Sequence, residues 1–230
     1  MTDTRPAADR LVLAIDTSSD ICIGVAAGDT VLAVRRAEDR RAHVELLAGL
    51  VREALTEAGV RLADVTDIVV GMGPGPFTGL RVGIATAETL AWAGRTPLHR
   101  VCSLDVVASA YALAEPTEEF VVAADARRKE LYWGHYAPDG SRIGLPKVSA
   151  PDALPDLPVV GPGADVYPTV HHGRPAVGPR AIDPGLMARV GPELPGVGDQ
   201  PLYLRRPDAV EPTSRKSALV SRKRLSIGTP

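Results

Sequence analysis

Leu11-Val12-Leu13-Ala14-Ile15-Asp16-Thr17-Ser18-Ser19-Asp20 is the stretch on which the reading of the fold turns. Five apolar residues stop at an aspartate, and small oxygen-bearing side chains follow. That is too short for a helix and reads as a buried strand running into a turn. Ile21–Ala26 reads as a second strand, Gly28-Asp29 as a turn, and Val31–Arg36 as a third strand. The spacing predicts an antiparallel meander.

The same order returns a hundred residues later. Phe120–Ala124 ends at Asp125, a polar turn follows, Leu131–Tyr136 forms a strand, and Asp139-Gly140 turns the chain. Asp125 takes the place of Asp16, and Asp139-Gly140 the place of Gly28-Asp29. No residue identity supports the match, only the order of elements. It predicts a mixed α/β protein made of two related halves.

Between the two units the sequence alternates helices and short strands. Leu47, Leu50, Val51, Ala54, Leu55 and Ala58 have helical spacing over His43–Ala58, and Gly59 is a suitable stop. Ile68–Gly71 is a β-branched strand. Gly73-Pro74-Gly75-Pro76-Phe77-Thr78-Gly79 leads into a second helix reaching about Ala93, ended by Gly94 and Pro97. After a strand at Leu98–Val101, Ser103 is placed to N-cap a third helix through Ala114. Residues 138–212 hold 15 of the 21 prolines, which central strands do not tolerate. A small loop-rich subdomain with one helix near Pro184–Val190 is expected there. From Thr213 the chain carries Arg215, Lys216, Arg222, Lys223 and Arg224 and no acid, a basic tail without folding signals. The expected divisions are a flexible 1–10, an N-terminal subdomain 11–102, a smaller Pro-rich subdomain 103–206 and a tail 207–230.

Composition bounds the function. The chain has 230 residues, 45% hydrophobic and 23% charged, with 26 basic against 28 acidic side chains. The net charge of -2 excludes a globally basic nucleic-acid binder but leaves room for a local basic patch. Cys22 and Cys102 lie in apolar runs and read as buried free thiols in a reducing compartment. No apolar stretch approaches the ~20 residues of a membrane span, and Met-Thr-Asp-Thr-Arg-Pro lacks a signal-peptide apolar region. A cytoplasmic protein with no membrane partner is expected.

The segment Gly73–Gly79 sits between strand and helix, where phosphate loops occur. No Lys-[Ser/Thr] pair follows its glycines, and Pro74 and Pro76 carry no N–H, so a rigid turn that aims the next helix fits better. In that helix Gly79, Gly83, Ala87 and Ala91 recur every fourth residue beside Leu80 and Ile84. Such a bare face suits close packing on the sheet, or an intermolecular helix contact; the pattern allows both. Asp16, Thr17 and Ser18 could hold a metal-bound phosphate, or simply close an Asx turn. His43, His99, His135, His171 and His172 include no i, i+4 pair, which argues against a helical metal site. No G-x-S-x-G occurs, so a serine hydrolase has no support.

Three stretches resemble one family. Leu13-Ala14-Ile15-Asp16-Thr17-Ser18, His43-Val44-Glu45-Leu46-Leu47 and Gly73-Pro74-Gly75-Pro76-Phe77-Thr78-Gly79-Leu80-Arg81-Val82-Gly83 are similar to TsaB (YeaZ). Asp125-Ala126-Arg127 and Tyr203-Leu204-Arg205 agree with further motifs of that family, over about residues 11–206. The resemblance implies the actin-like ATPase (ASKHA) fold. It implies a non-catalytic subunit that supports a TsaD-like catalytic paralogue, together with a TsaE-like ATPase. The product is N6-threonylcarbamoyladenosine (t6A) at position 37 of tRNAs that read codons beginning with A. It implies no cofactor of the chain's own, ATP and a metal ion being bound by the partners, and tRNA contacted through the complex.

The catalytic paralogue carries a His-x-x-x-His metal motif where this chain has Ser103-Leu104-Asp105-Val106-Val107, so both imidazoles are replaced by side chains that cannot ligate in their stead. Pro76 stands where the family usually has serine, Gly49 where it often has proline, and Val44 where serine is common. The expected partner surface comprises His43, Leu46 and Leu50 of the first helix and Gly79, Leu80, Gly83, Ile84 and Ala87 of the second, serving a heterodimer or, without the paralogue, a homodimer. The competing reading is a stand-alone ATP-dependent phosphotransferase of the actin-like class, built on Asp16 and Asp125. A metallopeptidase would lack its ligands.

Overall fold

The computed structural model describes residues 10–37, 43–175 and 177–205, with the side chains of 43–45 left aside. The first meander is β1 (Leu11–Asp16), β2 (Ile21–Ala27) and β3 (Thr30–Ala37). Then come α1 (His43–Glu57), β4 (Asp67–Gly71), α2 (Phe77–Gly94), β5 (Leu98–Val101) and α3 (Ser103–Ala112). The second unit is β6 (Phe120–Asp125), β7 (Leu131–Tyr136), β8 (Arg142–Ser149) and β9 (Val159–Val160), followed by α4 (Pro184–Val190).

The sheets repeat one plan. The first has strand order β3-β2-β1-β4-β5 and the second β8-β7-β6-β9. In each, an antiparallel meander is extended in parallel on the far side of its first strand, by β4 and β5 in the first sheet and by β9 alone in the second. The register confirms the duplication: Asp16 pairs with Cys22 and Asp125 with Leu131 as the last pair of each hairpin. The Ser18 N–H donates to Asp16 Oδ1 at 2.7 Å, and the Arg127 N–H to Asp125 Oδ1 at 2.8 Å. Two unrelated turn sequences are thus closed by the same aspartate-to-backbone bond.

Alternation along β1 sorts its side chains into two cores. Leu13 and Ile15 join α1 and α2 through Leu47, Val51, Leu80, Ile84 and Ala87. Val12 and Ala14 face α3 and α4, where they meet Val106, Val107 and Met187 together with Phe120 and Tyr136 of the second sheet. Each fully buried aliphatic or aromatic side chain contributes about 1.5–3 kcal/mol. A third cluster, with Val121, Leu131 and Trp133, covers the outer face of the second sheet.

The Pro-rich region contains two strands, β8 and β9, and both are edge strands of the second sheet, so Pro146 removes no ladder bond from a central position. α4, which the sequence reading put in the subdomain 103–206, packs on β1, β2 and β3 of the first sheet. Val197 N–H donates to the Arg100 carbonyl at 2.8 Å and Leu202 N–H to the Met72 carbonyl at 2.9 Å, so the last described segment returns to the first lobe. Among the described residues no helix is long and apolar enough to cross a membrane. Of the expected flexible 1–10 only Arg10 is described, and it is buried and paired with Glu193; the expected tail 207–230 lies outside the described residues.

Candidate functional site

Asp16 lies at the carboxyl end of the buried strand β1, against the start of α3. Its side chain is 0% exposed. Oδ1 accepts from the Ser18 N–H and the Ser18 hydroxyl, both at 2.7 Å, and Oδ2 accepts from the Ser103 hydroxyl at 2.5 Å. Burial pushes the carboxyl above the ordinary aspartate value, and the Ser103 and Ser18 bonds pull it part of the way back.

The walls around Asp16 are backbone. A Cβ on Gly71 would fall within 3.0 Å of the Asp16 carboxyl, and one on Gly75 within 3.0 Å of the Ser18 backbone. Ser103 is the first residue of α3 and not its cap, which is Cys102. Its hydroxyl donates to Asp16 and accepts from the Gly73 N–H at 3.1 Å, while its own N–H donates to the Gly73 carbonyl at 2.9 Å. The strand end, the Gly73–Gly79 loop and the start of α3 are therefore tied at one point.

Asp16, Thr17 and Ser18 are the residues the sequence offered as a phosphate turn. All three are buried, and both Asp16 oxygens already hold hydrogen bonds. Thr17 spends its hydroxyl on the Gly79 carbonyl at 2.8 Å.

Ser103 and Val107, which the resemblance sets against the two histidines of the metal motif, are each 1% exposed, Val107 within the inter-sheet core. His99 holds the buried Asp67 at 2.8 Å and His135 holds Glu119 at 2.7 Å. Among the described residues no three of His, Cys, Asp and Glu gather as a metal site.

The partner surface is also redrawn. Leu80 and Ala87 are 0% exposed, Ile84 is 6%, and Gly79 and Gly83 are buried with them against Thr17 and the sheet. The bare face of α2 is filled from within the chain, so these five residues present nothing to a partner. The sequence pattern admitted this outcome; burial selects it. What α2 turns outward is the neighbouring stripe. Phe77, Thr78, Arg81, Val82, Ala85 and Thr86 line a shallow depression of about 520 Å³. Arg81 lies over the Phe77 ring, 4.2 Å from its centroid, and its Nε–H donates to the Tyr203 hydroxyl at 3.1 Å. On α1, Leu46 is 38% exposed and Leu50 half-buried, so both remain on the surface side; the His43 side chain lies outside the described part.

Sequence reasoning found the polar turn between β6 and β7 but not its backbone conformation. Arg127, Arg128 and Lys129 take φ values of 61°, 54° and 62°, three successive left-handed residues without a glycine. Each costs on the order of 1 kcal/mol or more. The aspartate before them was visible in the sequence; the backbone conformation was not, because none of the three is a residue that marks φ above zero.

A two-lobed molecule in which each sheet is an antiparallel meander extended in parallel beyond its first strand has the actin-like ATPase (ASKHA) fold. The chain matches the family TsaD, tRNA N6-adenosine threonylcarbamoyltransferase, over residues 32–163, and it belongs to that family. Its resemblance to TsaB (YeaZ) holds across several relatives. It is 32% identical over 132 residues to the tRNA threonylcarbamoyladenosine biosynthesis protein TsaB of Escherichia coli, covering 57% of either chain. It is 40% identical over 220 residues to the Mycobacterium leprae protein ML0378, covering 91% of this chain and 59% of that one. The chain thus spans little more than half the length of these two curated relatives. A crystal structure from Pseudomonas aeruginosa, described as similar to the peptidase YeaZ, superposes with a TM-score of 0.69 at 29% identity, covering 85% of this chain and 100% of that one.

Proposed function

We propose that this chain is the non-catalytic subunit that supports a TsaD-type catalytic paralogue in forming threonylcarbamoyladenosine at position 37 of tRNA. The observation that carries the reading is the Asp16–Ser103 lock. In an actin-like fold the strand-end carboxylate is the natural ligand for metal and phosphate, and here it is consumed in bonding the fold to itself. Ser103 and Val107 occupy the positions where the resemblance places histidine ligands. With chemistry withdrawn from the inter-lobe region, ATP and metal belong to the partners, a TsaE-like ATPase among them. The cell compartment is the cytoplasm, where tRNA is modified.

The surface offered to the paralogue is the outward stripe of α1 and α2, with Leu46, Leu50, Val82 and Ala85 at its centre. Two such helices per subunit form a four-helix contact across a pseudo-twofold axis. A second copy of the chain can occupy the same surface when the paralogue is absent. The phosphotransferase alternative is disfavoured by the same lock, because Asp16 would have to break its bonds to Ser18 and Ser103 to reach a substrate.

The test is reconstitution of tRNA modification, with nucleosides read by mass spectrometry. Product is expected from the paralogue, the ATPase and this chain together, little without this chain, and none from this chain alone. Full activity without it, or magnesium-dependent ATP hydrolysis by the isolated chain, would overturn the proposal.

A further inference from the structure

Several arginines of this fold are held in place by carboxylates. Arg10 meets Glu193, Arg61 meets Asp64, Arg100 meets Glu88, and Arg174 meets Glu118 and Asp156. Arg81, exposed on α2, is held in place by neutral groups instead. Its guanidinium lies over the Phe77 ring, 4.2 Å from the centroid, and its Nε–H donates to the Tyr203 hydroxyl at 3.1 Å. Among the described residues no carboxylate comes within ion-pair distance of it, and its Nη groups hold no hydrogen bond. The charge is ordered but not spent.

The groups that order it are themselves fixed. Phe77 opens α2 and stacks against Tyr203, with ring centroids 4.9 Å apart. Tyr203 is anchored on either side: Leu202 N–H donates to the Met72 carbonyl at 2.9 Å, and Arg205 donates to the Ala126 carbonyl at 2.9 Å. Arginine is among the residue types that dominate interface energetics, and one already ordered loses little freedom on binding.

The surroundings decide what this cation can take. Val82 and Ala85 line the depression beside Arg81, and no acid lines it. A helix packed over that surface removes water from the guanidinium, and a charge stripped of water without a counter-charge opposes binding. The occupant that fits brings apolar side chains for Val82 and Ala85 and one carboxylate for the free Nη groups, which match a carboxylate in geometry. A second copy meeting this depression with its own would bring a second arginine and no acid. Nucleic acid gains its affinity from several cations at once, and the depression offers one. We propose that Arg81 is the polar anchor of the paralogue contact: it takes a carboxylate of the TsaD-type partner while Phe77 and Tyr203 hold it in register. This rests on the reading above in that the paralogue is the occupant.

The test measures the affinity of the full chain and its R81K, R81Q and R81E variants for the TsaD-type paralogue by calorimetric titration at low and high salt. Circular dichroism and urea unfolding check that each variant folds. Affinity is expected to follow charge. R81Q should lose about tenfold or more, R81E about tenfold beyond that, and R81K should lie between wild type and R81Q. The spread between wild type and R81E should narrow at high salt. A residue that only props Phe77 and Tyr203 would cost the same as glutamine or glutamate, at either salt. Should R81E fail to fold, R81K must still bind better than R81Q, and parity between them overturns the proposal.

Wild-type affinity in R81Q would overturn the proposal, as would R81E binding no more weakly than R81Q. Loss of tRNA binding by R81Q with paralogue affinity intact would also overturn it, by making Arg81 a nucleic-acid contact. Failure of the wild-type chain to assemble with the paralogue would overturn the proposed function, and the anchor with it. Equal assembly by wild type and R81Q leaves that function standing and removes only the anchor.

Discussion

Gly83 of α2 lies against Thr17 at the end of β1 so closely that a Cβ on it would stand within 3.0 Å of the threonine hydroxyl, and that hydroxyl donates to the Gly79 carbonyl at 2.8 Å. The small residues of α2 are an internal fitting between helix and turn. Thr17 occupies the space that the spacing alone left open for a partner.

Gly83→Leu should therefore damage the isolated fold before it touches any assembly. Overpacking of this kind costs about 1–3 kcal/mol, and the backbone of a buried turn gives little. Urea unfolding should show a lowered midpoint even for Gly83→Ala. Combining Gly83→Ala with Thr17→Ala should cost less than the sum of the single changes, because the clash is shared. Additive effects would mean the two residues are not in contact.

Ala85→Arg tests the redrawn surface. Ala85 is exposed, so the folding midpoint should stay within about 0.5 kcal/mol of wild type. Affinity for the TsaD-type paralogue should fall roughly ten- to a hundredfold, as ~1–3 kcal/mol of misfit implies. Size-exclusion chromatography and calorimetric titration would read it. Wild-type assembly by Ala85→Arg would place the contact elsewhere.

Asp16→Asn addresses the lock through pH. Desolvation holds the folded carboxyl above its unfolded value, so the native state binds that proton more tightly. The stabilisation from Asp16 is complete below the unfolded value and is lost as pH rises through the folded one. Wild type should therefore gain stability relative to Asp16→Asn as pH is lowered from neutrality towards 4. The gain is about 1.4 kcal/mol for each tenfold difference in proton affinity. A difference between the two proteins that does not change with pH would show that Asp16 does not titrate with folding.

Both thiols should be inert in the native protein. Burial pushes Cys22 and Cys102 up to about 12, and both are free. A thiolate-directed reagent at pH 8 should label neither cysteine in the folded chain and both after unfolding. Rapid native labelling of Cys102 would mean that the inter-sheet core opens.

The strand-end aspartates, the two meanders and the helix at Pro184–Val190 were legible in the residues, because alternation, turn chemistry and helical spacing are local properties. The Gly-Ala stripe of α2 and the absence of imidazoles at Ser103 and Val107 were equally plain. What the residues could not say was which side of α2 meets the sheet, since Leu80 and Val82 are both apolar and only burial tells them apart. Nor could they show that Ser103 reaches across 87 positions to Asp16, that α4 returns to the first sheet, or that Arg127, Arg128 and Lys129 turn left-handed over the clamp of Arg205. Those are long-range relations, decided when the two sheets close on α3 and leave each polar group the partners that remain within reach.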